Sequence, residues 1–202
     1  MHKILYLGTD PSRFGREVVH CPLIEVKPLP LPDAVVRDFD AFTHVILTSP
    51  NAARLWAAAK LQHKKILSIG RGTAEALKEA GWYCFATASP ETQEGMIDLL
   101  KVACGGDSYL LYPRSSRARP LLANYLKEAG LKHQVCNLYD TVYLKPDPLP
   151  SLDDFEEIVF TSPSTIEAFL QIYGSLPKNK TLTCIGPVTS AAMRDKNIFA
   201  FL

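Results

Sequence analysis

The sequence predicts an α/β fold: two small doubly wound parallel-sheet domains joined by a two-stranded linker, with one domain discontinuous in the chain. Three observations predict it. Short apolar runs alternate with segments of helical apolar spacing, the pattern of parallel βαβ units with helices on both sheet faces. Two windows of alternate proline, Pro28-Leu29-Pro30-Leu31-Pro32 and Pro146-Asp147-Pro148-Leu149-Pro150, hold six of the fifteen prolines. One strand–turn–helix pattern occurs twice.

Alternate prolines remove backbone donors and favour extended chain, so both windows read as connectors. Each follows a short β-like run, Leu23-Ile24-Glu25-Val26 before the first and Leu138-Tyr139-Asp140-Thr141-Val142-Tyr143 before the second. The chain is expected to leave one domain and later return to it. That gives a discontinuous domain of 1–27 and 144–202, an inserted continuous domain of 31–138, and linker strands within 21–32 and 137–150.

The first copy of the repeat is His44-Val45-Ile46-Leu47-Thr48-Ser49-Pro50-Asn51-Ala52-Ala53, and the second is Glu157-Ile158-Val159-Phe160-Thr161-Ser162-Pro163-Ser164-Thr165-Ile166. Downstream, Ile69-Gly70-Arg71-Gly72-Thr73-Ala74 is echoed by Ile185-Gly186-Pro187-Val188-Thr189-Ser190. The offsets are 113 residues (48 to 161) and 116 (70 to 186), nearly constant, as a duplication requires. Ile4-Leu5-Tyr6-Leu7 reads as the first strand. Tyr109-Leu110-Leu111-Tyr112 reads as a strand leading into a loop over 113–120, and 121–130 as a helix ending at Gly130.

Composition narrows the function. Hydrophobic residues make up 47% of the 202 and charged residues 21%, which excludes a largely disordered chain. A net charge of +1 gives no global field for nucleic acid or an anionic membrane, so an anionic ligand must be held locally. No apolar run reaches the ~18–20 residues of a membrane span, and the N-terminus is too short for a signal peptide. The five scattered cysteines form no C-x-x-C pair and read as reduced cytosolic thiols. The five histidines lack ligand spacing, so no metal is assigned.

In parallel α/β sheets, ligands sit beyond the carboxyl ends of the strands, where helices begin. Both Thr-Ser-Pro motifs stand there. Helix-start chemistry alone explains a single copy, since Ser or Thr caps the first turn and Pro suits the first helical position. The same hydroxyl pair in both halves points to binding as well, and several helix starts converging on one interdomain cleft could hold a polyanion. The Gly70 and Gly186 turns allow close backbone approach. Neither has a following Gly-Lys-Ser/Thr or three correctly spaced glycines, which disfavours nucleotide binding. Arg114, Arg117 and Arg119 form the dense basic cluster, suited to carboxylate or phosphate. Tyr139, in a linker strand, carries a phenol that is protonated at neutral pH and can donate to a leaving oxygen; packing between domains is the plainer use of such an aromatic.

Taken together, the Thr-Ser-Pro runs at 44–53 and 159–164, Ile69–Ala74, Leu111-Tyr112-Pro113-Arg114, Leu138–Tyr143 and Ile185–Thr189 resemble uroporphyrinogen-III synthases, over nearly the whole chain and in the family's order. The resemblance implies two flavodoxin-like α/β domains joined by a two-stranded ladder. It implies a cyclising hydro-lyase of tetrapyrrole (haem) biosynthesis, acting on hydroxymethylbilane without cofactor. The terminal hydroxyl is lost, the last ring (ring D) is inverted through a spiro intermediate, and uroporphyrinogen III results. By motif match Tyr139 assists hydroxyl departure, and Thr48, Ser49, Thr73, Ser162, Ser164 and Thr189, with Arg71 and Arg114 nearby, bind substrate carboxylates. Leu7-Gly8-Thr9-Asp10-Pro11 stands where many relatives have Thr-Arg-Pro, with Arg13 the nearest arginine. The chain therefore reads as a shortened member, its discontinuous domain trimmed at the first helix and the C-terminus. A cytoplasmic monomer is expected, with hydroxymethylbilane synthase a candidate for transient handover of the substrate. A non-catalytic anion- or tetrapyrrole-binding relative is the alternative that the shortened domain leaves open.

Overall fold

The structure is a computed structural model that describes residues 3–12, 14–56 and 61–199. In chain order its elements are β1 (Ile4–Tyr6), β2 (Val19–His20), β3 (Ile24–Pro28), α1 (Asp33–Arg37), β4 (His44–Leu47), α2 (Pro50–Trp56), β5 (Lys65–Ser68), α3 (Arg71–Glu79) and β6 (Ala86–Thr87). There follow α4 (Gln93–Ala103), β7 (Tyr109–Ser115), α5 (Leu121–Glu128), β8 (Lys132–Tyr143), β9 (Glu157–Phe160), α6 (Pro163–Tyr173), β10 (Thr181–Cys184) and α7 (Pro187–Phe199). The chain divides into two compact units, residues 1–26 with 141–202, and residues 27–140.

The first unit carries a four-stranded sheet of order β10-β9-β1-β2, every neighbouring pair parallel. Period-two alternation sorts its residues between faces. Leu5, Leu7, Ile158 and Phe160 join Ile166 and Phe169 of α6 in one cluster, while Ile4, Tyr6 and Val159 form a thin second cluster with Phe14 and Val18. Among the described residues between β1 and β2 there is no helix, which is why the second cluster is thin. Gly8 follows β1 where a Cβ would run into the Thr161 side chain at the end of β9, so glycine lets these two strand ends lie close together.

The six-stranded sheet has the order β3-β8-β7-β4-β5-β6, with β8 to β6 parallel throughout. Ile46, Leu67, Leu110 and Tyr112 bury one face against Met96 and Leu100 of α4 and Leu122 and Leu126 of α5. The helix starts are built from side chains. Thr92 accepts the Gly95 N–H at 3.2 Å to cap α4, and Gln93 reaches across to accept the Leu122 N–H of α5 at 3.1 Å. In α6, Ser162 and Thr165 form a capping box around Pro163, and the helix ends at Gly174 with φ 83°.

Three strands differ in extent from the sequence reading. β7 continues through Ser115 instead of stopping at Tyr112, so Arg114 lies in the strand and not in a loop. Its pairing with β4 ends at Leu111, and β8 alone carries it further, so Pro113 sits in an edge stretch that tolerates a missing donor. The linker strands occupy less of one window and reach beyond the other: β3 covers Ile24–Pro28 within 21–32, and β8 begins at Lys132 rather than at 137.

Candidate active site

The carboxyl ends of β4, β5 and β7 carry the motifs singled out in the unit of residues 27–140. Thr48-Ser49-Pro50 turns the chain from β4 into α2. Ser49 Oγ accepts the Ala52 N–H at 3.0 Å, an N-cap, and also shares a 2.8 Å hydrogen bond with the hydroxyl of Tyr139. Thr48 Oγ1 donates to the hydroxyl of Tyr112 at 3.5 Å. Both tyrosines are buried, Tyr139 at 5% exposure and Tyr112 at 0%.

A bulge between β7 and β8 places Tyr139. The register runs Pro113 with Cys136 and Arg114 with Asn137, then skips Leu138 so that Ser115 faces Tyr139. The skip breaks the inside–outside alternation, and Leu138 and Tyr139 are consecutive buried residues. The Ser116 N–H fixes the new register by donating to the Tyr139 carbonyl at 2.9 Å. Burial raises the Tyr139 phenol above its ordinary value, and hydrogen bonds from Ser49 and Ser115 partly oppose the rise. Tyr112 is raised in the same way, opposed by Thr48 and by the charge of Arg114. Both phenols are therefore protonated at neutral pH.

The three arginines of the basic cluster separate in the structure. Arg119 makes a two-pronged ion pair with Glu94 at 2.9 and 3.1 Å, and Arg117 Nε lies 3.5 Å from Asp140, which also accepts a hydrogen bond from Ser116. Arg114 is different: its Nε and Nη1 are buried with no hydrogen-bond partner among the described residues. Arg71, at the start of α3, pairs with Glu91 at 3.2 Å and keeps its side chain 89% exposed. Thr73, in the first turn of α3, is buried.

In the unit of residues 1–26 and 141–202, Ser162 caps α6 by accepting the Thr165 N–H at 3.3 Å, and Ser164 is half-buried in the same first turn. Thr189 is buried and donates to the Ile185 carbonyl at 3.3 Å. Arg13 lies outside the described residues. No helix among the described residues is long and apolar enough to cross a membrane, and no group of three or more His, Cys, Asp or Glu among them could hold a metal ion.

The order of these parts along the chain matches a known pattern. The family model described as uroporphyrinogen-III synthase HemD matches residues 9–202. The chain belongs to the uroporphyrinogen-III synthase family. Two solved structures share its mixed α/β fold with parallel sheets. A mutant uroporphyrinogen III synthase from the extremely thermophilic bacterium Thermus thermophilus is 18% identical with a TM-score of 0.66, the alignment covering 98% of this chain and 90% of that one. The uroporphyrinogen-III synthetase of Helicobacter pylori is 20% identical with a TM-score of 0.65 and the same coverage. No curated protein sequence matches the chain.

Within this uroporphyrinogen-III synthase family member, the structure brings Ser49 and Tyr139 into contact and leaves Arg71 engaged with Glu91. Sequence reasoning missed Tyr112 and Ser115. Tyr112 reads as an ordinary strand aromatic. Ser115 becomes visible only through the bulge, which no hydrophobic period reports.

Proposed function

We propose that this protein is a uroporphyrinogen-III synthase in which Tyr139 is the catalytic acid. The reaction closes linear hydroxymethylbilane to uroporphyrinogen III with loss of water and inversion of ring D, a cyclising hydro-lyase step of tetrapyrrole (haem) biosynthesis that needs no cofactor. The observation that carries the site is the buried Tyr139 phenol held 2.8 Å from Ser49 at the carboxyl end of β4. As the pyrrole nitrogen pushes out the terminal hydroxyl, the phenol gives it a proton and water leaves. Ring closure then releases a proton from the attacked pyrrole carbon, which restores the phenol, so the step is balanced in protons. An aqueous phenol is a weak acid, and positioning makes it effective at this pH.

The remaining assignments concern binding. Arg114 anchors an acetate or propionate through the nitrogens that lack an acceptor, a charge-assisted bond of the strong kind. Thr48, Ser49, Thr73, Arg71, Ser162, Ser164 and Thr189 are assigned to hydrogen bonding of the other carboxylates. The finer architecture goes with this reading: two flavodoxin-like domains, one of them formed by two separate stretches of the chain. So does a cytoplasmic monomer that takes its substrate from hydroxymethylbilane synthase, in a compartment where its free cysteines stay reduced. Because the substrate also closes spontaneously without inversion, the enzyme must only favour one closure; a tenfold preference needs ~1.4 kcal/mol of barrier difference.

The test feeds freshly made hydroxymethylbilane to the purified protein and measures the ratio of type III to type I product. Wild-type protein is expected to give type III in excess, and Tyr139→Phe to lower turnover several-fold or more while keeping the fold. A wild-type ratio equal to the uncatalysed one rejects the activity. A Tyr139→Phe variant with wild-type rate and ratio rejects the role of the phenol.

A further inference from the structure

We infer that Ser49 is a positioning residue for Tyr139: its hydroxyl hydrogen goes to the phenol oxygen during proton transfer and not to a substrate carboxylate. The inference rests on the proposed synthase reading and changes the part that motif match gives Ser49. The observation that carries it is the 2.8 Å hydrogen bond between Ser49 Oγ and the Tyr139 hydroxyl, made by an oxygen that also accepts the Ala52 N–H at 3.0 Å. A serine hydroxyl has one hydrogen and two lone pairs. Before reaction either hydroxyl can donate across the 2.8 Å contact. Once the phenol has given its proton away, only Ser49 can.

When the phenol O–H bond breaks and its proton completes the departing water, Tyr139 is left as a phenolate in a buried position, where an unmatched charge is costly. The Ser49 hydroxyl then donates to a charged oxygen, and such bonds are roughly twice as strong as neutral ones. A bond that strengthens on the way to the transition state raises kcat, whereas one of constant strength does not. The proton released at ring closure returns to the phenolate and restores the neutral pair. Sequence and fold hold the serine ready for this. Pro50 confines the residue before it to extended backbone, and the Ala52 N–H fixes where Ser49 Oγ lies. Accepting that N–H also polarises the serine hydroxyl and makes it a better donor. The second Thr-Ser-Pro copy shows what the motif does by itself: Ser162 caps α6 through the Thr165 N–H and, among the described residues, meets no phenol. Starting a helix therefore does not require the contact with Tyr139.

The experiment uses the full chain and the variants S49G, S49T, Y139F and S49G/Y139F. Glycine serves well at a helix N-cap, so S49G removes the phenol contact and spares the start of α2. Steady-state formation of uroporphyrinogen III from hydroxymethylbilane gives kcat and KM for each. The Cζ resonance of Tyr139 is recorded in ring-labelled protein and assigned by its disappearance in Y139F. S49G is expected to lower kcat at least ~fivefold with KM changed less than ~twofold, and to displace the Tyr139 resonance. S49T, which keeps both hydroxyl and cap, is expected to bring kcat and resonance back towards wild type. In the Y139F background S49G is expected to have no further effect on kcat. A raised KM at unchanged kcat in S49G would return Ser49 to the carboxylate ligands and overturn the inference. So would equal losses from S49G with and without the phenol, an unmoved resonance, or an S49T no better than S49G. If wild-type protein makes no excess of type III, the synthase reading fails and the kinetic role of Ser49 fails with it. An active enzyme whose kcat ignores S49G refutes Ser49 alone.

Discussion

Replacing Ser49 by Ala removes two different interactions with one atom. The hydroxyl caps α2 through the Ala52 N–H and also meets the Tyr139 phenol at 2.8 Å. Loss of an N-cap costs ~1 kcal/mol, and loss of a buried hydrogen bond ~1 more, so S49A is expected to cost about 2 kcal/mol. For a chain of this length that corresponds to a fall in Tm of about 4–8 °C. Glycine is nearly as good an N-cap as serine, so S49G isolates the phenol contact and is expected to cost ~1 kcal/mol. Y139F removes the phenol oxygen and leaves the cap. The S49A and Y139F effects should therefore fall short of additivity by ~1 kcal/mol in a double-mutant cycle read by denaturant unfolding. The reasoning is refuted if S49A costs less than ~0.5 kcal/mol, the low end for a cap alone, or if the two effects simply add.

Gly95 of α4 has no room for a side chain, since a Cβ there would collide with the Pro90 carbonyl, which is backbone and cannot turn aside. G95A is expected to destabilise by ~1–3 kcal/mol despite alanine's better helix propensity, and a Tm equal to or above wild type would contradict this. Hydrogen bonding from Arg119 holds the Glu94 carboxyl near a pKa of about 2. A carboxyl depressed in the folded state contributes stability above its unfolded value of ~4.3 that is lost as pH falls towards ~2. Both side chains are more than half exposed, so the contribution is at most ~1 kcal/mol. E94Q should flatten the acid limb of stability between pH ~4.5 and ~2, lowering stability near neutrality by at most ~1 kcal/mol and changing little below pH ~2; an unchanged acid limb would count against it. Burial pushes the Cys136 thiol up to about 11. In native protein at pH ~8 it should resist alkylation that denatured protein undergoes, as mass spectrometry would show; equal labelling of the two would contradict this.

Much of the architecture was legible because it rests on local signals. Thr-Ser-Pro marks where α2 and α6 begin, since hydroxyl caps and a proline at the first helical position act over three or four residues. The parallel sheets follow from apolar runs separated by helices. What remained illegible depends on contacts between distant segments. The pairing of Arg71 with Glu91, twenty residues on, is one such contact. Tyr139 can be picked out by family pattern, yet its surroundings cannot: Ser49 lies ninety residues away, and Ser115 stands opposite it in register only through a skipped residue in β8. A one-residue slip reverses which face a side chain takes, and a period-two reading has no means of seeing it.

The handling of charge around Tyr139 follows one logic. Arg117 and Arg119 lie a few residues from Arg114 in sequence, and each is matched by a carboxylate, Asp140 for the former and Glu94 for the latter. Their charges shape the chain between β7 and α5 and add little net field. Arg114 keeps two buried donors for which the described residues provide no acceptor, and an arginine cannot shed its charge to relieve the cost. With a net charge of +1 over the chain, any hold on a substrate bearing many carboxylates must be directional. In the proposed site, two buried Arg114 nitrogens in β7, with hydroxyls at neighbouring strand ends, would fix where a carboxylate sits instead of merely attracting it. A reaction whose outcome depends on which way a ring turns before closure gains more from such fixed geometry than from a broad positive surface. The same reasoning explains why the proposed acid can be a phenol: where orientation sets the product, a weak acid in the right place is sufficient.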